Sequence, residues 1–393
     1  MPTVTELRLF AVDLPFRAPF RHAAAARRTS GSLFLKVGLD NGVEGWGECL
    51  PRSYVSGESR EETFALLRDD VLPALLGMTF QSLAEVISFL EKCDGKAPPD
   101  WVYPSVPQSS AWCAIDLALL DALGRACHQP ASLGTLRNHL TEDELAPYRY
   151  SGVVSADRGW RYMASLLKLR AFGFRHVKLK LEREGALKAA SAARRLLGRG
   201  IDLRVDANMA WDVETALRVI SELQAVGVES FEQPIASGDL DGLAQLVRES
   251  SSSIMVDEGL TDRDSLQTLI NHRACTGVNV RISKCGGLIG AHARSLEALD
   301  AGLVLQIGCQ VGESSLLSSA HVTLLSALAS RAAGVRYAEG CFGRHLLRKD
   351  PVTPLVQFRY GGRPPPRPEG AGLGIEVDQE MLKQWTVGKS HVS

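Results

Sequence analysis

Five short runs carry the residue types that acid–base and metal chemistry need: Lys178-Leu179-Lys180, Asp206-Ala207-Asn208, Glu232-Gln233-Pro234, Asp257-Glu258-Gly259 and Lys284-Cys285-Gly286-Gly287. Their intervals are even: 26 residues from Lys180 to Asp206, 26 to Glu232, 25 to Asp257 and 27 to Lys284. Bunched carboxylates such as Asp206, Glu232 and Asp257 repel one another and take up protons unless a cation sits among them. Ligation by carboxylate oxygens alone favours a hard divalent ion, Mg2+ before Mn2+. Asn208 lies two residues past Asp206, on the same side of an extended chain, and is placed to orient a ligand or a metal-bound water. Lys178 and Lys180 share a side in the same way. Neighbouring ammonium groups disfavour each other's charge, which brings a lysine toward the range of a general base. Lys284 is expected to arrive from the opposite side, so a substrate carboxylate on the metal would offer its α-carbon to a lysine on each face. One such acid alone would read as a helix N-terminal residue, and one lysine alone as a surface side chain. The shared interval argues for the set.

An interval of that length holds one strand and one helix. Runs of β character are read near 148–154, 176–181, 202–207, 230–235, 253–258, 277–284, 303–309 and 335–339, with helical patterns between them, as at Asp157–Ala171, Arg183–Leu197, Trp211–Val226 and Gly290–Ala301. Strand–helix alternation implies parallel β/α units, and eight of them suggest a closed barrel, whose chemistry lies at the C-terminal ends of its strands. The N-terminal part differs. Residues 4–13 and 33–48 alternate as strands, the second run being a hairpin about Asp40-Asn41-Gly42, and 60–92 and 108–127 have helical periodicity. That pattern predicts a small α+β unit over 1–125, a barrel over 126–345 and a C-terminal segment, 346–393, in which 373–377 is read as a last strand returning to the N-terminal unit. Between the first two strands, residues 18–30 are read as a mobile basic loop whose Arg21, His22, Arg27 and Arg28 could receive an acidic substrate tail.

The chain has 393 residues, 45% hydrophobic and 23% charged, which excludes a disordered or fibrous protein. Forty-four basic and 45 acidic residues leave a formal charge of −1, so there is no global attraction to nucleic acid or to an anionic membrane. Eight scattered cysteines without a CxxC pair read as reduced, mostly buried thiols of a cytoplasmic protein. No signal peptide is apparent, and no uncharged apolar run reaches the roughly 18 residues of a membrane span.

Taken together, Lys178-x-Lys180, Asp206-x-Asn208, Glu232-Gln233-Pro234, Asp257-Glu258 and Lys284-x-Gly286-Gly287, with Gly45-Trp46-Gly47-Glu48 near the N-terminus, resemble the enolase superfamily and its muconate-lactonising subgroup. The resemblance covers nearly the whole chain. It implies a (β/α)7β TIM-type barrel under an N-terminal α+β capping domain, with the loop at about 18–30 as a lid. It implies Mg2+ on Asp206, Glu232 and Asp257, Lys180 and Lys284 as the acid/base pair, Lys178 tuning Lys180, Asn208 in support and Glu258 holding Lys284. The implied activity is abstraction of the proton α to the carboxylate of a small-molecule substrate through an enediolate, in an isomerase (cycloisomerase, racemase or epimerase) that forms a homo-oligomer.

β-Elimination, as in o-succinylbenzoate synthesis, uses the same lysines and stays open. Specificity is expected in the lid and in the ends of the last two strands, where Glu313 and Glu339 are candidate substrate contacts. Glu339-x-Cys341 stands where dipeptide epimerases of the family carry Asp-x-Asp. An acid-sugar dehydratase would carry a late histidine with an Asp partner, and none of the nine histidines reads so. A non-catalytic barrel would have lost a ligand or a lysine, and none is missing from the motifs.

Overall fold

The structure is a computed structural model. It describes residues 1–22, 25–101, 108–131, 145–155, 159–181 and 185–393, with the backbone alone at 20–22, 25 and 26. The first residues of the helices expected from Asp157 and Arg183 lie outside the described residues.

The N-terminal unit opens with β1 (Val4–Val12), followed by β2 (Pro15–His22), β3 (Ala25–Thr29), β4 (Ser32–Leu39) and β5 (Glu44–Cys49). β1, β4 and β5 form an antiparallel sheet, and β4 is buried along its whole length because helices cover the sheet. The β4–β5 hairpin turns at Asp40-Asn41-Gly42, where Gly42 takes a positive φ of 79°. β5 lies directly on the helix Ser109–Ala126. A Cβ at Gly45 or Gly47 would overlap the helix backbone at Ala122 or Ala114, which is the physical content of the Gly-Trp-Gly run. The segment expected as a basic loop is instead a β-hairpin: β2 pairs antiparallel with β3, with Phe20 opposite Arg27. Alternation in Arg21-His22 and Ala25–Arg28 is too weak a signal to separate a ribbon from a loop, and the pairing partner supplies what the pattern lacks.

Eight parallel strands follow: β6 (Gly152–Ser155), β7 (His176–Lys180), β8 (Asp202–Asp206), β9 (Val228–Glu232), β10 (Ser253–Val256), β11 (Gly277–Arg281), β12 (Val304–Gly308) and β13 (Val335–Ala338). They pair in sequence order. The ring closes where Tyr150, leading into β6, bridges Ala338 in parallel and Ser151 N donates to Ala338 O at 2.9 Å. One helix follows each of the first seven strands, from Trp160–Phe172 to Ser315–Ala327, giving a (β/α)7β barrel. Several of these helices begin on an aspartate cap: Asp212, Asp239 and Asp262 accept from the backbone N–H groups of Thr215, Gly242 and Ser265.

Two boundaries depart from expectation. β11 ends at Arg281, not at 284: Lys284 N and Cys285 N both turn back to Arg281 O, and Gly286 and Gly287 have positive φ. The strand expected at 373–377 shrinks to β15 (Glu376–Val377), paired with β14 (Val352–Thr353). The return to the N-terminal sheet is made by β16 (Thr386–Val392), which pairs with β1. Polar alternation in Thr386–Val392 gives little strand signal by itself, and β1 supplies its ladder partner. All eight cysteines are unpaired thiols. Among the described residues no helix is long and apolar enough to cross a membrane.

Candidate active site

Lys180, Asp206, Glu232 and Arg281 are the last residues of β7, β8, β9 and β11, and Asp257 follows the last residue of β10. In-register pairing sets Lys180 beside Asp206 and Asp206 beside Glu232. The strand ladder thus brings the expected carboxylates and Lys180 to one end of the barrel. Lys180 Nζ lies 3.4 Å from Asp206 Oδ2 and donates to Asn208 Oδ1 at 3.4 Å. Asn208 is held in turn, its N and Nδ2 donating to Asp206 Oδ1 at 3.1 and 2.8 Å. Asn208 and Gln233 both sit at positive φ, 45° and 41°. Such backbone is costly for these side chains and is retained where surrounding contacts over-determine it. Gln233 repays it by accepting Asp257 N and donating to Ile235 O, both at 3.0 Å.

A second layer lies two residues back along the strands, where side chains face the same interior. It contains Lys178, Arg204, Asn279 and Gln306. Lys178 Nζ is 3.3 Å from Asp206, 3.1 Å from Glu232 and 2.8 Å from Glu339. Burial opposes its charge, but Glu232, Glu339 and Asp206 hold the ammonium well above the ordinary lysine range. Lys178 is therefore a buried counter-ion to carboxylates, in contrast to the mutually depressed lysine expected from its neighbour. Arg204 is fully buried, pairs with Glu232 and Glu339, reaches Gln306, and lies 4.3 Å over the Tyr337 ring. Asn279 Nδ2 donates to Glu232 Oε1 at 2.9 Å. Arg204, Asn279 and Gln306 belong to none of the sequence motifs. Their signal is the period of two: each stands two residues before a strand's last residue.

Lys284 lies apart from the mouth. Its side chain is 0% exposed, and its Nζ donates to Asp257 O at 2.5 Å, Asp257 Oδ1 at 2.8 Å and Asn279 O at 2.9 Å. Three acceptors match the three donors of an ammonium group. Burial, with Arg281 adding to it, pulls in the other direction and lowers the Lys284 pKa. Glu258, expected to hold Lys284, makes no hydrogen bond to it. One Glu258 oxygen is buried without a partner, and burial, with Asp206 next, pushes the carboxyl up to about 7. The group that does stand at the end of β11 is Arg281, 13% exposed beside Lys180 at 14%, paired with Asp257 and donating to Gln310 Oε1 at 3.1 Å.

The N-terminal unit grips the turn that carries Lys284. Leu50 N donates to Ser283 Oγ at 3.0 Å, and the backbone of Gly95 fills the space where a Cβ of Gly286 would stand. Asp116 accepts from Leu288 N at 2.7 Å and Ile289 N at 3.3 Å, at the start of the helix Gly287–Asp300. Glu313, expected as a substrate contact, is nearly buried and accepts Gln310 N at 2.6 Å. Burial, with Glu48 next among the groups that raise it, pushes its carboxyl up to about 8. Glu339 belongs to the second layer: burial opposes its charge, but Arg204 and Lys178 hold it low. The side chains of Arg21 and His22 lie outside the described residues, so no placement bears on them. Arg27 and Arg28, on β3, are described. The Arg27 guanidinium lies 5.8 Å over the Tyr54 ring, and Arg28 is exposed.

The donor set suits a hard divalent cation: three carboxylates at adjacent strand ends, with oxygen donors only. Burial opposes ionisation of Asp206, yet Lys180, Lys178 and Arg281 hold its carboxyl well below the ordinary carboxylate range. Among the described residues no three His, Cys, Asp or Glu side chains converge closely enough to enclose an ion. In this arrangement the carboxylates turn instead to the protein's own cations. Type and strand position therefore fit a divalent ion, and charge compensation is shared with lysine and arginine.

Comparison with known proteins adds an independent line. Residues 4–133 match the family described as mandelate racemase/muconate lactonizing enzyme, N-terminal domain, and residues 161–381 the enolase C-terminal domain-like family. The chain is 27% identical to an N-succinyl-L-Arg/Lys racemase of Bacillus cereus, over 98% of both chains. It is 28% identical to a chloromuconate cycloisomerase of Cupriavidus pinatubonensis, over 96% of this chain and 97% of that one. The crystal structure of N-succinyl Arg/Lys racemase from Bacillus cereus superposes with a TM-score of 0.83 at 25% identity, covering 100% of both chains. A dipeptide epimerase from Cytophaga hutchinsonii, complexed with Mg and D-Ala-L-Val, shares the fold at a TM-score of 0.84 and 22% identity, again over 100% of both chains.

Proposed function

Because the chain belongs to the mandelate racemase/muconate lactonizing enzyme family of the enolase superfamily, and is with its racemase, epimerase and cycloisomerase relatives an isomerase of small carboxylates, we propose that it works by moving the proton α to its substrate's carboxylate, with Lys180 as the group that carries it. The observation that supports this most is the placement of Lys180: it ends β7, beside Asp206 and Asn208, at the C-terminal mouth where barrel chemistry is located.

The family is generally divalent-metal dependent, usually on Mg2+. Asp206, Glu232 and Asp257 would hold the ion here, and bound it would supply Lewis acidity toward a substrate carboxylate. The rest is done by the chain's own residues. Lys180 holds or takes the proton at Nζ. Asn208 and Asp206 fix the lysine's direction through the bonds given above. Lys178 and Arg204, fully inside the barrel, pair with Glu232 and Glu339, and the two cations hold the Glu339 carboxyl low. The hairpin β2–β3 stands at the expected place of a lid and is the proposed source of substrate selection. A homo-oligomeric assembly is part of this reading.

The test is solvent-deuterium incorporation at the α-carbon, followed by NMR in the presence of Mg2+, over N-succinyl amino acids, dipeptides and muconate. Metal-dependent incorporation that disappears in Lys180→Ala is expected. Incorporation that survives both the substitution and excess EDTA refutes the proposal.

A further inference from the structure

The two sides of the candidate site are not equivalent, and the difference bears on which isomerisation the protein performs. Lys180 reaches the mouth from β7. On β11, four strands on, the residue at the matching position is Arg281, and the lysine of that segment, Lys284, is turned inward with all three donors used. Lys284 is also locked in place. The turn that bears it is tied to the N-terminal unit by Leu50–Ser283, by the packing of Gly95 on Gly286, and by Asp116 on Leu288 and Ile289. Bringing Lys284 to the mouth would break those bonds and strand the carbonyls of Asp257 and Asn279. Arg281 is oriented from two sides, by Asp257 and by Gln310, whose own N–H is anchored on Glu313.

We infer that proton transfer in this protein is one-sided: Lys180 serves one face of the substrate α-carbon, and Arg281 stands on the other as a fixed cation that binds and orients anionic substrate oxygen without exchanging protons. This rests on the function proposed above and narrows it. A racemase must remove a proton on one face and return one on the other, which takes an acid/base group on each. A guanidinium has five N–H donors and no acceptor, and it stays charged in proteins. The substrate class that fits is an acid whose isomerisation needs a single proton transfer, such as an unsaturated dicarboxylate that closes to a lactone. In that reaction one carboxylate oxygen forms a C–O bond to the β-carbon, and the π electrons move toward the other carboxylate as an enediolate. Lys180 then delivers its ammonium proton to the α-carbon and is reprotonated from solvent. No bond is oxidised or reduced, and no co-reactant is needed. The second carboxylate of such a substrate gives Arg281 its partner.

Two measurements on the full-length Mg2+-loaded protein test this. The first is α-deuterium incorporation into N-succinyl-L-lysine, N-succinyl-D-lysine and muconate in D2O. Wild type is expected to label at most one lysine enantiomer, without interconverting the pair, and to give muconolactone labelled at a single stereochemical position. Arg281→Lys is expected to add exchange on the second enantiomer. Exchange of both enantiomers by wild type, or one-sided exchange left unchanged in Arg281→Lys, overturns the inference. Absence of exchange on every probe refutes the underlying function instead. The second measurement is then decisive for the geometry: brief acetylation with acetic anhydride, read by mass spectrometry. Lys180 is expected to label at least tenfold faster than Lys284, and equal rates overturn the assignment whichever substrate is used.

Discussion

Replacing Asp116 tests how the N-terminal unit controls the site. This carboxylate lies in the middle of the helix Ser109–Ala126, fully buried, and spans to the barrel to cap the helix that begins at Gly287. The residue at that helix end, Gly286, has no side chain to cap it. Asp116→Ala leaves two buried amide N–H groups unpaired, at about 1–3 kcal/mol each for an unsatisfied buried donor. Allowing for water entering the space, the expected loss is about 2–4 kcal/mol, above the roughly 1 kcal/mol of an ordinary exposed cap. Urea unfolding of the full chain at pH 8 measures it, and a loss below about 0.5 kcal/mol would refute the clamp. Asp116→Asn adds a test of sign. Burial pushes the Asp116 carboxyl up to about 7 from an ordinary 3.8, so between those pH values the folded protein binds a proton that the unfolded chain releases. Stability of wild type relative to Asp116→Asn should therefore fall as pH rises from about 5 to 7, then level off. A relative gain across that window would contradict the reasoning.

Other substitutions probe other layers. Lys180→Ala should lower α-proton exchange by about 10²–10⁴, the usual worth of a positioned base, while calorimetry shows Mg2+ binding retained; exchange within tenfold of wild type would remove Lys180 from its proposed role. Asp206→Asn, Glu232→Gln and Asp257→Asn should each weaken Mg2+ binding at least tenfold by the same calorimetry, and unchanged affinity in all three would locate the ion elsewhere. Arg204→Met breaks a fully buried network with Glu232 and Glu339 and should cost about 3–5 kcal/mol in urea unfolding; a neutral result would show that Lys178 alone balances both acids. Gly47→Ala forces a methyl group into the backbone of the helix at Ala114 and should cost about 1–3 kcal/mol, read as a lowered Tm. An unchanged Tm would mean that β5 and the helix can separate at no cost.

The sequence alone determined the repeating unit and, with it, the site's carboxylates. A strand–helix unit has a set length, so acids recurring at 25 or 26 residues fall at matching strand ends, and the ladder from Lys180 through Asp206 to Glu232 follows from that spacing. Local patterns also sufficed for the Asp40-Asn41-Gly42 hairpin, because a tight turn is specified by its own residues. What sequence could not decide was the direction of a side chain at the end of an element. Arg281 and Lys284 are both cationic and three residues apart, and only the turn at Arg281 puts one at the mouth and the other behind Asp257. That turn is stabilised by partners at Leu50, Gly95 and Asp116, far away in the chain, so no local window contains its cause. The same holds for β16, whose strand character comes from β1, and for Arg204, whose charge is tolerated only because Glu232 and Glu339 meet it across the barrel. Spacing is a property of the chain. A buried charge or a strand end is settled by the free energy of its neighbours, and those neighbours exist only once the barrel has closed.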